Sequence, residues 1–435
     1  MSGELAQPGM EAALLDGIKI AVVGAGSPYT PELIEGLAAV QAKLPVREIA
    51  LTDIDPKRLA VMASFCRRFA ERLAFRSVIT ETTERSRALE GADFVNTQIR
   101  VGGNAARAVD ERICLRHGVI GQETTGAAGL MKALRTIPAM LEIARDVERI
   151  CPEAWIVSYT NPTGMVTEAV TKQTHAKMVG LCSGGFFPQH FVASALGVSR
   201  SSVRYSYLGA NHMNFAFDVK VGGRPLTAAE FEKVAEACWG VKSQIPKLLG
   251  LLPSPYLQYY YHTSARLSAS LAANRTRGEE VLEIEAEVFR DYADKGRDTK
   301  PEALSRRGGG GYSEVAIGVV EALYLDQDRW MIANVPNKGA VAWLPPDAVI
   351  ETACLVNRHG VAPLALPHTP APVWGLVSAV KNYEQLAVEA AIVRSRRLVL
   401  QAMLAHPLVR DYDVAVPLLD DLFHANAHLL PEYGE

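Results

Sequence analysis

The stretch Lys19-Ile20-Ala21-Val22-Val23-Gly24-Ala25-Gly26-Ser27-Pro28-Tyr29-Thr30-Pro31 decides the reading of this chain. An apolar run suited to a buried strand breaks into a tight glycine turn and then enters a helix opened by proline. Residues without side chains at 24 and 26 let backbone N–H groups and a helix N-terminus approach an anion, which is how a dinucleotide pyrophosphate is held. Tyr29 stands where the G-x-G-x-x-G pattern has its last small residue. A second apolar run ends in Ala50-Leu51-Thr52-Asp53-Ile54-Asp55. That places the Asp53 carboxylate at a strand's carboxyl end, where it accepts hydrogen bonds from the adenosine ribose hydroxyls and selects NAD over NADP. The plain alternative is a parallel sheet whose first turn happens to be glycine-rich. Asp55, followed by Pro56, reads as a helix N-cap with proline at the first helical position.

Outward from this turn, residues 18 to about 180 alternate apolar runs at 18–23, 48–52, 94–99, 155–159 and 178–181 with helical segments. Such alternation predicts βαβ units and a mostly parallel sheet, with ligands beyond the strand carboxyl ends. After Cys182 the character changes, with strands expected at 203–208 and 215–221 and helices at 228–237, 281–293 and 379–405. The expected fold class is α/β: a loosely ordered extension over 1–17, an N-terminal Rossmann-type NAD-binding domain over 18–190, and a C-terminal α+β substrate-binding and oligomerisation domain over 191–435. Gly308-Gly309-Gly310-Gly311 reads as a flexible loop, and the Pro-rich segment 363–372 as a surface connection.

With 435 residues, 49% hydrophobic and 21% charged, the chain is long enough for two domains that each bury a core. A formal net charge of -3 without any dense Lys/Arg run gives no field for nucleic acid, so no nucleic-acid partner is expected. Cys66, Cys114, Cys151, Cys182, Cys238 and Cys354 are too scattered for a secreted disulfide framework, which suits a reducing cytoplasm. No basic segment leads into an apolar core at the start, and no uncharged apolar run reaches about 18 residues, so neither secretion nor a membrane span is expected.

Cys182 directly follows Met178-Val179-Gly180-Leu181, at the strand edge where ligands of open α/β sheets collect. His212, in Gly209-Ala210-Asn211-His212-Met213-Asn214, lies between two strand-like runs, where a loop would present it to the same cleft. A thiolate and an imidazole make half a coordination sphere and leave room for substrate oxygens, although a lone Cys is commonly a core residue and a lone His a hydrogen-bonded one. The run Pro253-Ser254-Pro255-Tyr256-Leu257-Gln258-Tyr259-Tyr260-Tyr261-His262 offers a phenolate base or aromatic packing, with Tyr256 and Tyr260 expected on one helix face. Gly121-Gln122-Glu123-Thr124-Thr125-Gly126 and Asn161-Pro162-Thr163-Gly164 combine turn residues with side chains suited to sugar hydroxyls or the nicotinamide ribose. Helix capping by Thr125 or Asn161 is the alternative.

Taken together, these segments resemble family 4 of the glycoside hydrolases, the NAD- and divalent-metal-dependent glycosidases, and within it the 6-phospho-β-glucosidase branch. Ala133-Leu134-Arg135, Gly180-Leu181-Cys182 and Arg307-Gly308-Gly309 add to the match, which runs from about residue 19 to 405. This family stands outside the two-carboxylate glycosidase scheme. The resemblance implies hydride transfer from the sugar C3 to NAD, proton abstraction at C2, elimination, water addition and re-reduction. It puts the base on Tyr256 and the ligands of a Mn2+-type ion on Cys182 and His212. The dinucleotide falls to Gly24, Gly26, Ser27, Asp53 and Asn161, and the substrate to Asn161, Arg107 and Arg277. Either arginine could instead be a surface ion pair. The implied partner is a small phosphorylated disaccharide or glycoside, met by a cytoplasmic homodimer or homotetramer.

One departure from the family lies beside Cys182, where Ser183-Gly184-Gly185 replaces the Asn of β-acting and the Asp of many α-acting members. An unphosphorylated or α-linked substrate is therefore the second expectation. The first domain alone would also suit an NAD-dependent 2-hydroxy-acid dehydrogenase or a non-catalytic NAD sensor.

Overall fold

The computed structural model describes residues 17–308 and 310–434, apart from the side chain of Tyr312. The extension expected over 1–17 therefore lies, except for Gly17, outside the described residues. Strand β1 (Ile18–Val23) is buried at every position. With β2 (Val46–Thr52), β3 (Val78–Thr82), β4 (Phe94–Thr97), β5 (Trp155–Ser158) and β6 (Lys177–Gly180) it forms a parallel half-sheet of order β3-β2-β1-β4-β5-β6. Parallel strands need helical crossovers that cover both faces, which is why β1 carries a continuous apolar run instead of an alternating one. The order reverses between β1 and β4, and side chains beyond the carboxyl ends there border a crevice. Strand β3 went unread in the sequence because, as an edge strand with exposed Val78 and Glu81, it lacks the apolar continuity of its neighbours.

The rest of the sheet is antiparallel. Strands β7 (Val203–Ala210), β8 (Met213–Val221), β9 (Arg224–Pro225), β10 (Leu252–Pro253), β11 (Arg329–Pro336), β12 (Val349–Asn357) and β13 (Gly360–Pro363) add the order β10-β8-β7-β12-β11 to the parallel half. The joint is a single register pair, Asn334 of β11 opposite Gly180 of β6. Gly180 is required there, since a Cβ would lie 2.2 Å from Thr167 Oγ1 and 3.1 Å from Asn334 Cβ.

Two large apolar clusters cover the sheet faces. One contains side chains from helices Gly126–Ile150, Thr163–Gln173, Ala371–Val393 and Arg396–Ala405, and the other from Thr30–Val40, Pro56–Arg72, Arg277–Ala293 and Tyr312–Leu325. The chain thus returns after residue 277 to pack beside the glycine turn. Asp55 caps helix Pro56–Arg72, its side chain accepting from the amides of Lys57 and Arg58. Helix Arg277–Ala293 begins four residues before the expected position, because Thr276 and Glu279 form a capping box. The single helix expected over 379–405 is two: Arg394 turns left-handed at φ +57°, and Ser395 caps the second by accepting from Leu398 N–H.

Candidate active site

A cleft of about 490 Å³ opens at the carboxyl ends of β1, β2, β4 and β5 and is lined by Gly24, Gly26, Ser27, Asp53 and Asn161. Gly24 sits at φ +86°, and a Cβ there would lie 2.9 Å from the Ile99 nitrogen. A Cβ on Gly26 would lie 2.8 Å from Asp53 Oδ2. Both positions exclude a side chain because neighbouring segments pack against them, and with the cleft opening over this turn the residues fit a dinucleotide pyrophosphate. Asp53 is held by two amides: Gly26 N–H donates to Oδ2 at 2.8 Å and Asp55 N–H to Oδ1 at 2.9 Å. Tyr29, which replaces the last small residue of the fingerprint, is buried; its hydroxyl donates to the Gly308 carbonyl and the Arg307 guanidinium lies 4.7 Å from the ring centroid. The returning chain therefore fills the space over the turn that an ordinary fingerprint leaves small.

At the inner end of the cleft, Lys132 Nζ donates to Glu123 at 3.0 Å, and the same carboxylate takes Arg100 at 2.5 Å and Arg107 at 2.8 Å. Burial opposes the charge of Glu123, but Arg100, Lys132 and Arg107 outweigh it and hold the carboxyl well below its usual range. Burial, together with Arg100, brings Lys132 down to about 7. Arg107 also bonds Glu111 at 2.7 Å, and the other Glu111 oxygen accepts from the Gly278 amide at 2.7 Å. Arg107 and the start of the Arg277 helix thus share one carboxylate. Arg107 is enclosed, with 12% of its side chain exposed, and is no surface pair. Arg277 is 45% exposed and bonds Glu280 and the carbonyls of Arg306 and Arg307.

Cys182, His212 and Tyr256 gather beside this ionic cluster, outside the lining of the cleft itself. His212, in the turn joining β7 and β8, takes φ +68°, a conformation rare for an L residue outside turns and functional sites. Its ring stacks on Tyr256 at 3.9 Å between centroids with planes 3° apart. Tyr256 lies in the single 3-10 turn Pro255–Leu257, ahead of helix Gln258–Tyr261, so it does not share a helix face with Tyr260. Phe187 bridges back to Cys182: its ring is 6.5 Å from Tyr256, and a Cβ on Gly184 would contact both Phe187 and the Cys182 sulfur. Burial, then the charge of Glu351, pushes the thiol up to about 12, while the Gly184 amide donates to it at 3.4 Å. Beside the thiol lies the buried Asn211 amide, which faces Cys182 and Glu351 without reaching full hydrogen-bond geometry to either.

Gln122 fixes the imidazole. Its carbonyl oxygen accepts from the amides of Thr124 and Thr125 at 2.6 and 2.8 Å, so its amino group must be what faces His212 Nδ1 at 2.9 Å. Nδ1 is therefore the acceptor, and the neutral ring carries its proton on Nε2. Burial lowers the ring to about 4, keeping it in the neutral form that a cation can use. A cation at Nδ1 would replace the Gln122 bond; one at Nε2 would require the proton to change nitrogen. Among the described residues no group of three or more His, Cys, Asp or Glu side chains could hold a metal. One thiol, one imidazole and a neighbouring amide fit an open site completed from outside the protein. Thr125 does not cap the following helix; its hydroxyl meets His406 Nε2 at 2.6 Å. Asn161 caps nothing either, and accepts from the Thr163 hydroxyl at 3.1 Å.

Two features escaped sequence reasoning. Lys132 interrupts the buried run Leu130-Met131-Ala133-Leu134, and a lysine among such neighbours signals a partnered buried charge. A cross-strand row, Gly180–Asn334–Glu351–Gly209–Asn214, passes beneath both Cys182 and His212. Asn214 donates to Glu351 at 2.6 Å, and burial raises that carboxyl to about 8. Only pairing register reveals this row, and register is absent from a linear motif.

Residues 19–198 match the Family 4 glycosyl hydrolase pattern and residues 207–409 the Family 4 glycosyl hydrolase C-terminal domain. The chain is 39% identical to a Bacillus subtilis (strain 168) protein named “Probable 6-phospho-beta-glucosidase”, over 96% of this chain and 98% of the relative. Its fold superposes on the 6-phospho-β-glucosidase of Thermotoga maritima with manganese, NAD+ and glucose-6-phosphate, with a TM-score of 0.87 and 31% identity over 96% of this chain and all of that one. A 6-phospho-α-glucosidase from gut microorganisms, solved with NAD and glucose-6-phosphate, superposes with a TM-score of 0.90 and 30% identity over the same shares.

Proposed function

This chain belongs to family 4 of the glycoside hydrolases, and on that premise we propose that it hydrolyses 6-phospho-β-glucosides by oxidation at C3, proton removal at C2, elimination, water addition and re-reduction. The observation that carries the reading is the phenol of Tyr256 stacked on His212, beside Cys182 and a cationic cluster that adjoins the dinucleotide cleft. Gly24, Gly26, Ser27 and Asp53 hold the dinucleotide, with Asn161 between it and the sugar. Cys182 and His212 hold a divalent cation, Mn2+ in this reading, as supported by the manganese-bound relative. When bound, these groups supply a hydride acceptor and donor for C3 and polarisation of the C2 and C3 oxygens.

Tyr256 takes the C2 proton, and the stacked imidazole and Phe187 restrict its ring to one orientation. Gln122 keeps the His212 ring in place. Arg100 and Arg107 balance Glu111 and Glu123, and Lys132, brought down to about 7, adds part of a positive charge, a surplus that favours an anionic substrate. Arg107 and Arg277 are assigned to the 6-phosphate, Arg offering it a two-pronged donor. Residues 18–190 form the dinucleotide domain and 191–435 the substrate-binding and oligomerisation domain, in a cytoplasmic homodimer or homotetramer. Two observations agree with that setting: all six cysteines are unpaired, and among the described residues no helix is long and apolar enough to cross a membrane.

Cellobiose 6-phosphate and its α-linked counterpart, each supplied with NAD+ and Mn2+, test the assignment. Cleavage of the β-linked compound alone is expected. Ser183, at the first position of the turn Ser183–Phe186 and next to Cys182, together with the α-acting relative, favours the second reading, an α-linked substrate. Preferential cleavage of the α-linked sugar, or of unphosphorylated cellobiose, would replace the first reading by the second.

A further inference from the structure

Both arginines at the adenosine end of the cleft are already engaged with carboxylates. Arg85 Nε donates to Asp146 at 2.8 Å, and Arg58 Nη2 donates to Glu285 at 2.6 Å. Arg58 rises from the same spot as the ribose-binding acid: a Cβ on Gly26 would lie 2.8 Å from Asp53 Oδ2 and 3.1 Å from Arg58 Cβ. In dinucleotide folds, an arginine at this place receives the 2′-phosphate that distinguishes NADP from NAD. Here its guanidinium is occupied on three sides. Nη2 and Nε donate to the Gly26 carbonyl at 3.0 and 3.3 Å, Phe289 lies 4.0 Å below the plane's centre, and Glu285 takes the outer N–H. Glu285 and Phe289 are one turn apart on helix Arg277–Ala293, so that helix presents both to Arg58. Glu285 is itself fixed, since its second oxygen accepts from Asn104 Nδ2 and lies 3.6 Å from Arg307 Nη2.

We infer that Glu285 is a specificity-determining residue for the cofactor: by holding Arg58 beside Asp53, it denies a 2′-phosphate its cationic partner and makes the site select NAD over NADP. The inference rests on the dinucleotide reading of the cleft. Asp53 alone would leave a guanidinium a few ångströms away that a phosphate could recruit. With Glu285 in place, two carboxylates flank Arg58, and an incoming 2′-phosphate meets a guanidinium whose charge is already countered and the Asp53 carboxylate that repels it. The element that returns from the C-terminal half to cover the glycine turn thereby also sets which dinucleotide the turn accepts.

Calorimetric titration of the full chain with NAD+ and with NADP+ tests this. The wild type is expected to bind NAD+ in preference. Glu285→Gln should improve NADP+ binding relative to NAD+ by on the order of tenfold, the worth of one charge-assisted hydrogen bond, while NAD+ affinity itself serves as the folding control. Adding Arg58→Gln to that variant should erase the gain. Arg58→Gln alone should not relax the preference for NAD+, because Glu285 and the Gly26 carbonyl already hold its Nε and Nη2. An unmoved ratio in Glu285→Gln, a gain that survives loss of Arg58, or a shift toward NADP+ in Arg58→Gln alone would each overturn the role of Glu285 and leave the cofactor assignment standing. A wild type that binds no NAD+ would overturn the cofactor assignment and this inference with it.

Discussion

The dinucleotide cleft and the Cys182–His212–Tyr256 pocket are built in opposite ways. Gly24, Gly26, Asp53 and Asn161 all stand just beyond the carboxyl ends of strands in one parallel half-sheet. Each is positioned by a strand-to-helix turn whose residues are consecutive in the chain. The pocket draws Gln122 from a loop, Cys182 from the end of β6, His212 from the β7–β8 turn and Tyr256 from a 3-10 turn, four segments joined only by tertiary packing. A site made by local turns withstands loss of a catalytic side chain, whereas a site made by packing depends on every wall.

The largest expected effect separates chemistry from binding. Tyr256→Phe keeps the ring that stacks on His212 and removes the hydroxyl, so kcat should fall by about 10²–10⁴ with NAD+ affinity within about twofold of wild type. A parallel loss of NAD+ binding, read by titration, would break the independence of the two regions. Gly26→Val attacks the other side: its side chain would collide with Asp53, and NAD+ affinity should drop by on the order of 100-fold. Mn2+ binding, followed by electron paramagnetic resonance, should be nearly unchanged.

Acid should loosen the pocket before the cleft. His406 is fully buried, donates from Nε2 to Thr125 and is lowered by burial to about 3, and His212 is lowered to about 4. Between about pH 6.5 and these values the unfolded chain binds protons that the folded chain refuses, so stability falls as pH falls, by about 2 kcal/mol at pH 5 for His406 alone. Hydrogen exchange should show protection lost first around 403–409 and 209–214, while β1 and β2 hold. Uniform loss would contradict the distinction, and His406→Gln should flatten the denaturation curve in that pH range. The smallest effect concerns Gln122. Glu at 122 could accept the two backbone amides with one oxygen and Nδ1–H with the other, freeing Nε2 for a cation. Gln122→Glu is expected to tighten Mn2+ severalfold, by paramagnetic resonance titration; weaker binding would show that the cation uses Nδ1.

How much could be read from the linear chain follows the same division. The glycine turn, the acid at the end of β2 and the cap at Asp55 were legible because each is a local pattern with one dominant cause. The match of motifs reached the family, which residues 19–198 and 207–409 bear out. The break at Arg394-Ser395 was hidden because a helical period continues across it and a single left-handed residue interrupts it. The row of Asn334, Glu351 and Asn214 depends on strand register across long separations, and the cations converging on Glu123, though only 9 to 23 residues away, depend on how their helices and loops pack. Tyr29 departs from the fingerprint, and the physical reason is the chain that returns at Arg307 and Gly308 to cover it.

The most direct measurement compares a 6-phospho-β-glucoside carrying deuterium at C2 with its ordinary counterpart, in the presence of NAD+ and Mn2+. If Tyr256 removes that hydrogen, the deuterated substrate is cleaved more slowly, and cleavage of either stops after dialysis against chelator and resumes when Mn2+ returns. Equal rates for the two substrates, with hydrolysis that persists without NAD+ or metal, would contradict the account.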